Sequence, residues 1–196
     1  MSEKELVEKI QAGDMNAFEQ IFEIYKNQAF KYSYLITGNV YTSEDIVQEA
    51  FIKCYTNIHD LKDLEQFKSW FFKILTRIAW KYSNKDKKAY PVDNIFEKAE
   101  TETIDTSVNT YIKKQEYEIL HAEIENLDLK QKTTIILYYF NGLNVKEIAK
   151  IMGCFEGTVK SRLHSARKKL KNSLLKDYKY EDIKVQGVWS NYEEEF

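Results

Sequence analysis

Between Asn144 and Leu170 the chain reads NVKEIAKIMGCFEGTVKSRLHSARKKL, a run whose residue types suit a surface that grips duplex DNA. Glu156 to Lys169 predicts a helix whose outer face carries Lys160, Ser161, His164 and Arg167. Such side chains hydrogen-bond base edges in the major groove and neutralise phosphates, and the N-terminal residues of the helix reach the bases. A helix of this kind has to be braced by a second one. Ala149 is small where two helices must pass close together, and Gly153, four residues on, suits a turn with positive φ. Ile148, Met152, Val159 and Leu163 supply an apolar seam between the two. The spacing is that of a helix-turn-helix, and an ordinary amphipathic hairpin with a solvated basic face is the alternative.

Two further constellations lie in the first half. Glu44, Asp45, Gln48 and Glu49 stand at i, i+1, i+4 and i+5, which puts Asp45, Gln48 and Glu49 on adjoining turns of one helix face. That face is either solvated or a docking surface for a basic partner helix. The following segment interleaves Phe67, Trp70, Phe71, Phe72 and Trp80 with Lys68, Lys73, Arg77, Lys81, Lys85, Lys87 and Lys88. From Lys73 to Lys88 there are six cations and one acid, Asp86. Rings and cations together suit single-stranded DNA, whose unstacked bases lie on aromatic faces while the strand follows positive charge. Trp70, Phe71 and Ile74 also fit an apolar core, and the lysines a solubilising face.

Nothing in the pattern points to catalysis. Cys54 and Cys154 fall in separate helical patterns, and His59, His121 and His164 are scattered, so neither a metal set nor a Cys–His pair is indicated. A glycine-rich phosphate loop and a nucleophile elbow are both missing from the sequence. The expectation is a non-enzyme with no metal and no cofactor.

The elements that must carry these residues are helices. One proline and six glycines in 196 residues leave few breakers, and the apolar residues recur with a helical period, so the chain is expected to be all-α. Helices are predicted at residues 3–12, 15–37, 44–57, 65–85, 112–126, 129–141, 145–152 and 156–175. Asp14 caps the second and Ser43 the third. Phe18, Ile21, Phe22, Tyr25, Ala29, Tyr32 and Ile36 point inward from the second, and Ile46, Val47, Ala50, Phe51 and Tyr55 from the third. Residues 1–88 and 112–176 are expected as two small helical domains. Residues 89–111, which hold Pro91 and an acidic polar run, form a flexible linker, and residues 177–196 an acidic tail.

The net charge of −2 conceals strong segregation. Residues 126–176 carry 11 basic and 3 acidic side chains, whereas residues 89–125 carry 3 and 9 and the last twenty carry 2 and 6. Affinity for bulk duplex grows with the number of phosphates neutralised, so a chain this close to neutral should bind DNA poorly on its own. No apolar run approaches the roughly 18 residues that span a bilayer, and the N-terminus lacks the apolar centre of a signal peptide, so a cytoplasmic location without membrane insertion is expected.

Four strings in order, AGDMNAFEQIFEIY, SEDIVQEAFIKCY, FKSWFFKIL and VKEIAKIMGCFEGTVKSRLHSARKKL, resemble the extracytoplasmic-function (ECF) sigma factors, compact initiation factors of bacterial transcription. The resemblance covers about residues 5–88 and 115–172. It implies a first domain that docks on the clamp helices of the polymerase β′ subunit through Asp45, Gln48 and Glu49. It implies −10 recognition and melting by the loop and helix with His59, Lys62, Phe67, Trp70, Lys73, Arg77 and Lys81. It implies −35 reading by the second domain through Thr158 and its neighbours, with Lys160, Ser161, His164 and Ser165 towards bases and Arg162, Arg167 and Lys168 as phosphate or packing residues. The partners it implies are core RNA polymerase, including the β flap, promoter DNA, and an anti-sigma factor that is often membrane-bound. Arg77 stands where the family usually has Asn, and Phe155 where a Ser or Pro often starts the recognition helix. A stand-alone helix-turn-helix regulator, binding duplex as a dimer, is the competing reading.

Overall fold

The computed structural model describes residues 1–83 and 122–177, with side chains as far as Ser173. The predicted linker, most of the helix predicted at 112–126, Lys85, Lys87, Lys88 and the acidic tail lie outside the described residues. The elements are α1 (Glu3–Gln11), α2 (Met15–Thr37), α3 (Val40–Asn57), two short 3₁₀ turns (Ile58–Asp60 and Leu64–Gln66), α4 (Phe67–Ser83), α5 (Leu129–Ile135) with a π-helical extension (Ile136–Phe140), α6 (Val145–Met152) and α7 (Glu156–Asp177). Residues 122–125 form the end of a further helix.

Local chemistry sets most boundaries. Ser2 and Glu5 form a capping box at α1, and the Asp14 carboxylate accepts from the N–H groups of Asn16 and Ala17 at the start of α2. Gly38 ends α2 at φ 68°, a conformation that costs glycine nothing. The start of α3 departs from the expectation. Asn39, not Ser43, is its cap, accepting from Thr42 N–H at 3.0 Å, so the helix begins a turn earlier. Ser43 is buried and donates to the Asn39 carbonyl at 2.6 Å. The helix predicted at 129–141 widens into a π segment over its last five residues, closed by Asn141 N–H on the Ile136 carbonyl at 3.2 Å.

The helix α4 is central. One side packs on α2 and α3 through an aromatic cluster: Phe71 lies 4.9 Å from Phe51 and 5.5 Å from Tyr25, and Phe72 lies 5.8 Å from Tyr32, ring centre to ring centre. Such pairs add about 0.5–1.5 kcal/mol each beyond the burial of their area. Two expected core residues are only partly covered here: Phe22 is 37 % exposed and Tyr55 40 %. Each still packs one ring edge-on, Phe22 against Phe51 at 4.8 Å and Tyr55 against Phe18 at 5.0 Å, with the rest of the ring in solvent.

The other side of α4 packs against α6, α2 meets α5 and its π extension, and Trp80 of α4 reaches Thr133 of α5. The two groups of helices therefore share one contiguous core, running from Leu6 to Leu170. Its seam is partly polar. Trp80 Nε1 donates to Thr133 Oγ1 at 2.9 Å, Thr133 donates to the Leu129 carbonyl at 2.7 Å, and Tyr32 and Thr76 share a hydroxyl bond of 2.8 Å. Every one of these hydroxyls is within 1 % of full burial, so each bond replaces solvation that folding removes. Trp80→Ala deletes the ring and the donor at this seam. Hydrogen exchange should then speed up across Val145–Met152 while Glu3–Gln11 keeps its protection; unaltered exchange in both would show that the seam does not tie the halves together.

Candidate nucleic-acid interface

The helix-turn-helix folds as its spacing requires. Asn144 and Glu147 form a capping box that starts α6, and Gly153 ends it at φ 62° with its N–H on the Ala149 carbonyl. Ile148, Val159 and Leu163 are buried between α6 and α7, with Met152 and Cys154 partly covered beside them. Phe155 offers only its carbonyl to the first turn of α7, accepting from Thr158 and Val159, and its ring is 86 % exposed. Lys160, Ser161, His164 and Lys168 are exposed along α7, and Thr158 and Ser165 are half-buried at the edges of the same face.

Two arginines of α7 turn elsewhere. Arg167, expected on the outer face, lies over Tyr138 and Tyr139, 5.8 and 5.5 Å from their ring centres, with Nε donating to the Tyr139 hydroxyl at 2.6 Å. The π extension presents both consecutive tyrosines to α7, a placement that regular helical spacing would not predict. Arg162 directs Nη1 at the sulfurs of Cys154 and Met152, 3.5 and 3.9 Å away. Both guanidinium groups are packing elements of the motif. Lys169 is tied back as well, to Gln131 at 2.7 Å and Asp128 at 3.7 Å.

A groove of about 310 Å³ opens between the end of α3, the first 3₁₀ turn and α4. Trp70, Ile74 and Ile78 form its apolar wall, Asn57 and Asp60 its polar edge, and Lys53, Arg77 and Lys81 its cations. The adjoining loop is fixed from outside, because the Gln11 amide donates to the carbonyls of Ile58 and Leu61 at 2.8 and 3.0 Å. His59 and Lys62 are exposed on that loop. Of the residues expected at the −10 element, Trp70, Arg77 and Lys81 come together at the groove, and Lys73 is half-buried outside its lining. Phe67 is a correction: it is fully buried, stacked 6.1 Å from Phe71 and edge-on to Tyr25, because it opens α4 on the inward side. Lys53, Asn57 and Asp60 were missed because they belong to the preceding helix and turn, where sequence spacing does not reveal a neighbour across a groove.

On α3, Glu44, Asp45 and Gln48 are exposed, and two large apolar residues share their face: Tyr41 at 74 % and Ile52 at 57 % exposure. An acidic and amide strip bracketed by exposed apolar side chains suits contact with another protein better than plain solvation. Glu49 faces inward to α4. It accepts from Lys53 at 2.9 Å and lies 3.9 Å from Lys81. The hydrogen bond from Lys53 holds its carboxyl below the usual range, helped by the charges of Lys53 and Lys81 and the Tyr82 hydroxyl and opposed by partial burial. Burial pushes the Cys54 thiol up to about 12, which leaves almost no nucleophilic thiolate near neutral pH. No group of histidines, cysteines and carboxylates that could hold a metal occurs among the described residues, and no described helix is long and apolar enough to cross a membrane.

A helical protein with a duplex-reading motif and a second, aromatic-cationic groove belongs to the promoter-binding class. Family comparison narrows this. Residues 21–88 match the family model for sigma-70 region 2, and residues 117–170 that for sigma-70 region 4. The chain is similar to the ECF RNA polymerase sigma factor SigW of Bacillus subtilis, with 31 % identity over 87 % of this chain and 96 % of the relative. It is also similar to the ECF sigma-E factor of Haemophilus influenzae, with 32 % identity over 89 % of this chain and 96 % of that protein. Among solved structures it shares its fold with CnrH in complex with the cytosolic domain of CnrY, at a TM-score of 0.69 and 18 % identity over 90 % of this chain and 99 % of that one. RpoE of Bartonella quintana, solved with the anti-sigma factor NepR, gives a TM-score of 0.63 and 20 % identity over 82 % and 98 %. The chain belongs to the ECF group of sigma-70 factors, and it is a transcription initiation factor rather than a stand-alone regulator.

The two basic neighbours at the end of α7 should behave differently when truncated. Arg167→Ala removes a guanidinium stacked on two rings and should lower stability by about 1–3 kcal/mol. Lys168→Ala, exposed, should stay within about 0.5 kcal/mol. Urea denaturation of the two variants reads the difference, and equal midpoints would remove Arg167 from the packing.

Proposed function

We propose that three surfaces of this chain divide the work of promoter opening. The exposed face of α3, with Asp45 and Gln48 between Tyr41 and Ile52, docks on the β′ clamp helices of core RNA polymerase. The outer face of α7 reads the −35 element, Lys160, Ser161, His164 and Ser165 towards base edges with Thr158 beside them, and Lys168 towards phosphate. The groove beside α4 takes a −10 base out of the stack, with Trp70 as the platform and Arg77 and Lys81 for the flanking phosphates. The single observation that carries this reading is the groove itself: an indole wall ringed by three cations on the domain that also bears the docking face. A regulator that read duplex alone would have no use for it.

The packed form cannot contact both promoter elements together. Elements centred near −35 and −10 lie roughly 25 base pairs apart, or about 85 Å of B-form DNA at 3.4 Å per pair. The longest helix among the described residues, α2, has 23 residues and spans only about 35 Å. In the working complex the α4–α6 seam therefore has to part, and residues 84–121 supply the connecting chain. The polymerase performs the chemistry. By the same resemblance the regulator is an anti-sigma factor, membrane-bound as is common in the family, that covers the docking and DNA surfaces.

Asp45→Ala with Gln48→Ala should weaken association with core polymerase by at least ten-fold and leave the circular dichroism spectrum unchanged, since both side chains are exposed. Retained affinity in a co-elution assay would rule the face out. Lys160→Ala with His164→Ala should depress transcription from a −35-dependent promoter by roughly ten- to a hundred-fold while core binding stays within two-fold. Parallel loss of both activities would mean these side chains serve the fold.

A further inference from the structure

The docking face and the strand-binding groove meet at one residue. Glu49 stands on α3 one residue after Gln48, and its single carboxylate engages two groove cations, accepting from Lys53 at 2.9 Å and lying 3.9 Å from Lys81. Both lysines line the groove, and Arg77 is the third cation of that lining. The Glu49 side chain is one-quarter exposed, against 49 % for Lys53 and 57 % for Lys81, so the three heads form a set that solvent and ligands can reach. A carboxylate and a DNA phosphate compete for the same ammonium groups, and an ammonium held by one is a weaker partner for the other. A cationic side chain arriving on the α3 face would in turn compete with the lysines for Glu49.

We infer that Glu49 is a charge clamp. In the free protein it neutralises Lys53 and Lys81 and keeps the groove weak for single-stranded DNA. A cationic group of the docked polymerase takes its carboxylate and hands both lysines to the strand. Glu49 is then a positioning residue for the groove, at the edge of the docking face. This rests on the assignment of those two surfaces proposed above. Exposed ion pairs are weak, so the clamp biases the groove without closing it, and its release should change affinity on the order of five-fold. With both lysines free to neutralise phosphates of a single strand, the slope of log affinity against log salt should also steepen by about 1.4.

The test compares the full chain with Glu49→Gln, which is nearly isosteric and keeps a hydrogen-bonding group in place. Binding of a short fluorescein-labelled oligothymidylate is followed by anisotropy across a salt series, for each protein alone and after assembly with core polymerase. Glu49→Gln alone should bind about five-fold tighter than wild type with the steeper slope, and the two holoenzymes should agree within two-fold. Glu19→Gln, an exposed acid on α2 that makes the same change in net charge, should match wild type throughout. Lys81→Gln should cost little in the free protein and several-fold in the holoenzyme. Equal affinity of free Glu49→Gln and wild type overturns the clamp, as does the same gain in Glu19→Gln, which would mean that only total charge matters. A gap of the same size that persists in the holoenzyme overturns its release by docking. Failure of the wild-type protein to associate with core polymerase is a separate result, which removes the docking assignment itself.

Discussion

Almost everything in this molecule depends on α4 being buried on two sides. An amphipathic helix normally satisfies one apolar stripe against one core. This helix carries two, one with Phe67, Phe71 and Phe72 towards α2 and α3 and one with Trp80 towards the second group of helices, and keeps the strip with Arg77 and Lys81 in solvent. The first packing is chiefly apolar and aromatic. The second contains the Trp80–Thr133 bond and two fully buried threonines at its seam. Buried hydroxyls lose less by re-exposure to water than buried phenyl rings do, so a seam built partly from them opens more easily than the core beneath it. That difference suits the proposed parting of the two halves, in which each keeps its fold.

The same geometry assigns the charges. Of the many cations in the sequence, the fold sends some inward to packing roles and leaves others exposed. Arg167 is engaged by Tyr138 and Tyr139, Arg162 by two sulfurs, and Lys169 by Gln131 and Asp128, which leaves His164 and Lys168 prominent on the outer face of α7. Burial lowers the pKa of Lys132 at the α5 seam, against a favourable charge from Glu125. A recognition helix needs both kinds of cation, some to brace it and some to bind, and their counts alone do not tell them apart.

The sequence was legible wherever the physics is local. Helix starts at Ser2, Asp14, Asp128 and Asn144 and stops at Gly38 and Gly153 follow from side chains within four residues of the boundary. The helix-turn-helix could be read because its small residue, its turn and its seam all fall inside one run of 27 residues from Asn144 to Leu170. Ser43 misled because two residues, Asn39 and Ser43, compete to start the same helix, and the winner is decided by Ser43 being drawn beneath Thr37 and Asn39 into the interior. Phe22 and Tyr55 misled because periodicity identifies the residues that share a face without saying how far the neighbouring helix extends over it.

The sequence by itself determined the all-helical class, the two basic stretches proposed to contact DNA, the acidic strip on the third helix and the segregation of charge, because each depends on residue type and short spacing. Tertiary structure alone decided that Phe67 is core while Trp70 is groove, that Lys53, Asn57 and Asp60 join Arg77 and Lys81 around one cavity, and that Glu49 faces two lysines from different helices. Those facts rest on contacts between residues far apart in sequence, thirty-two positions from Glu49 to Lys81 and forty-two from Tyr25 to Phe67. Helical period fixes the direction in which a side chain leaves its own axis; what it meets there depends on where another helix has been packed.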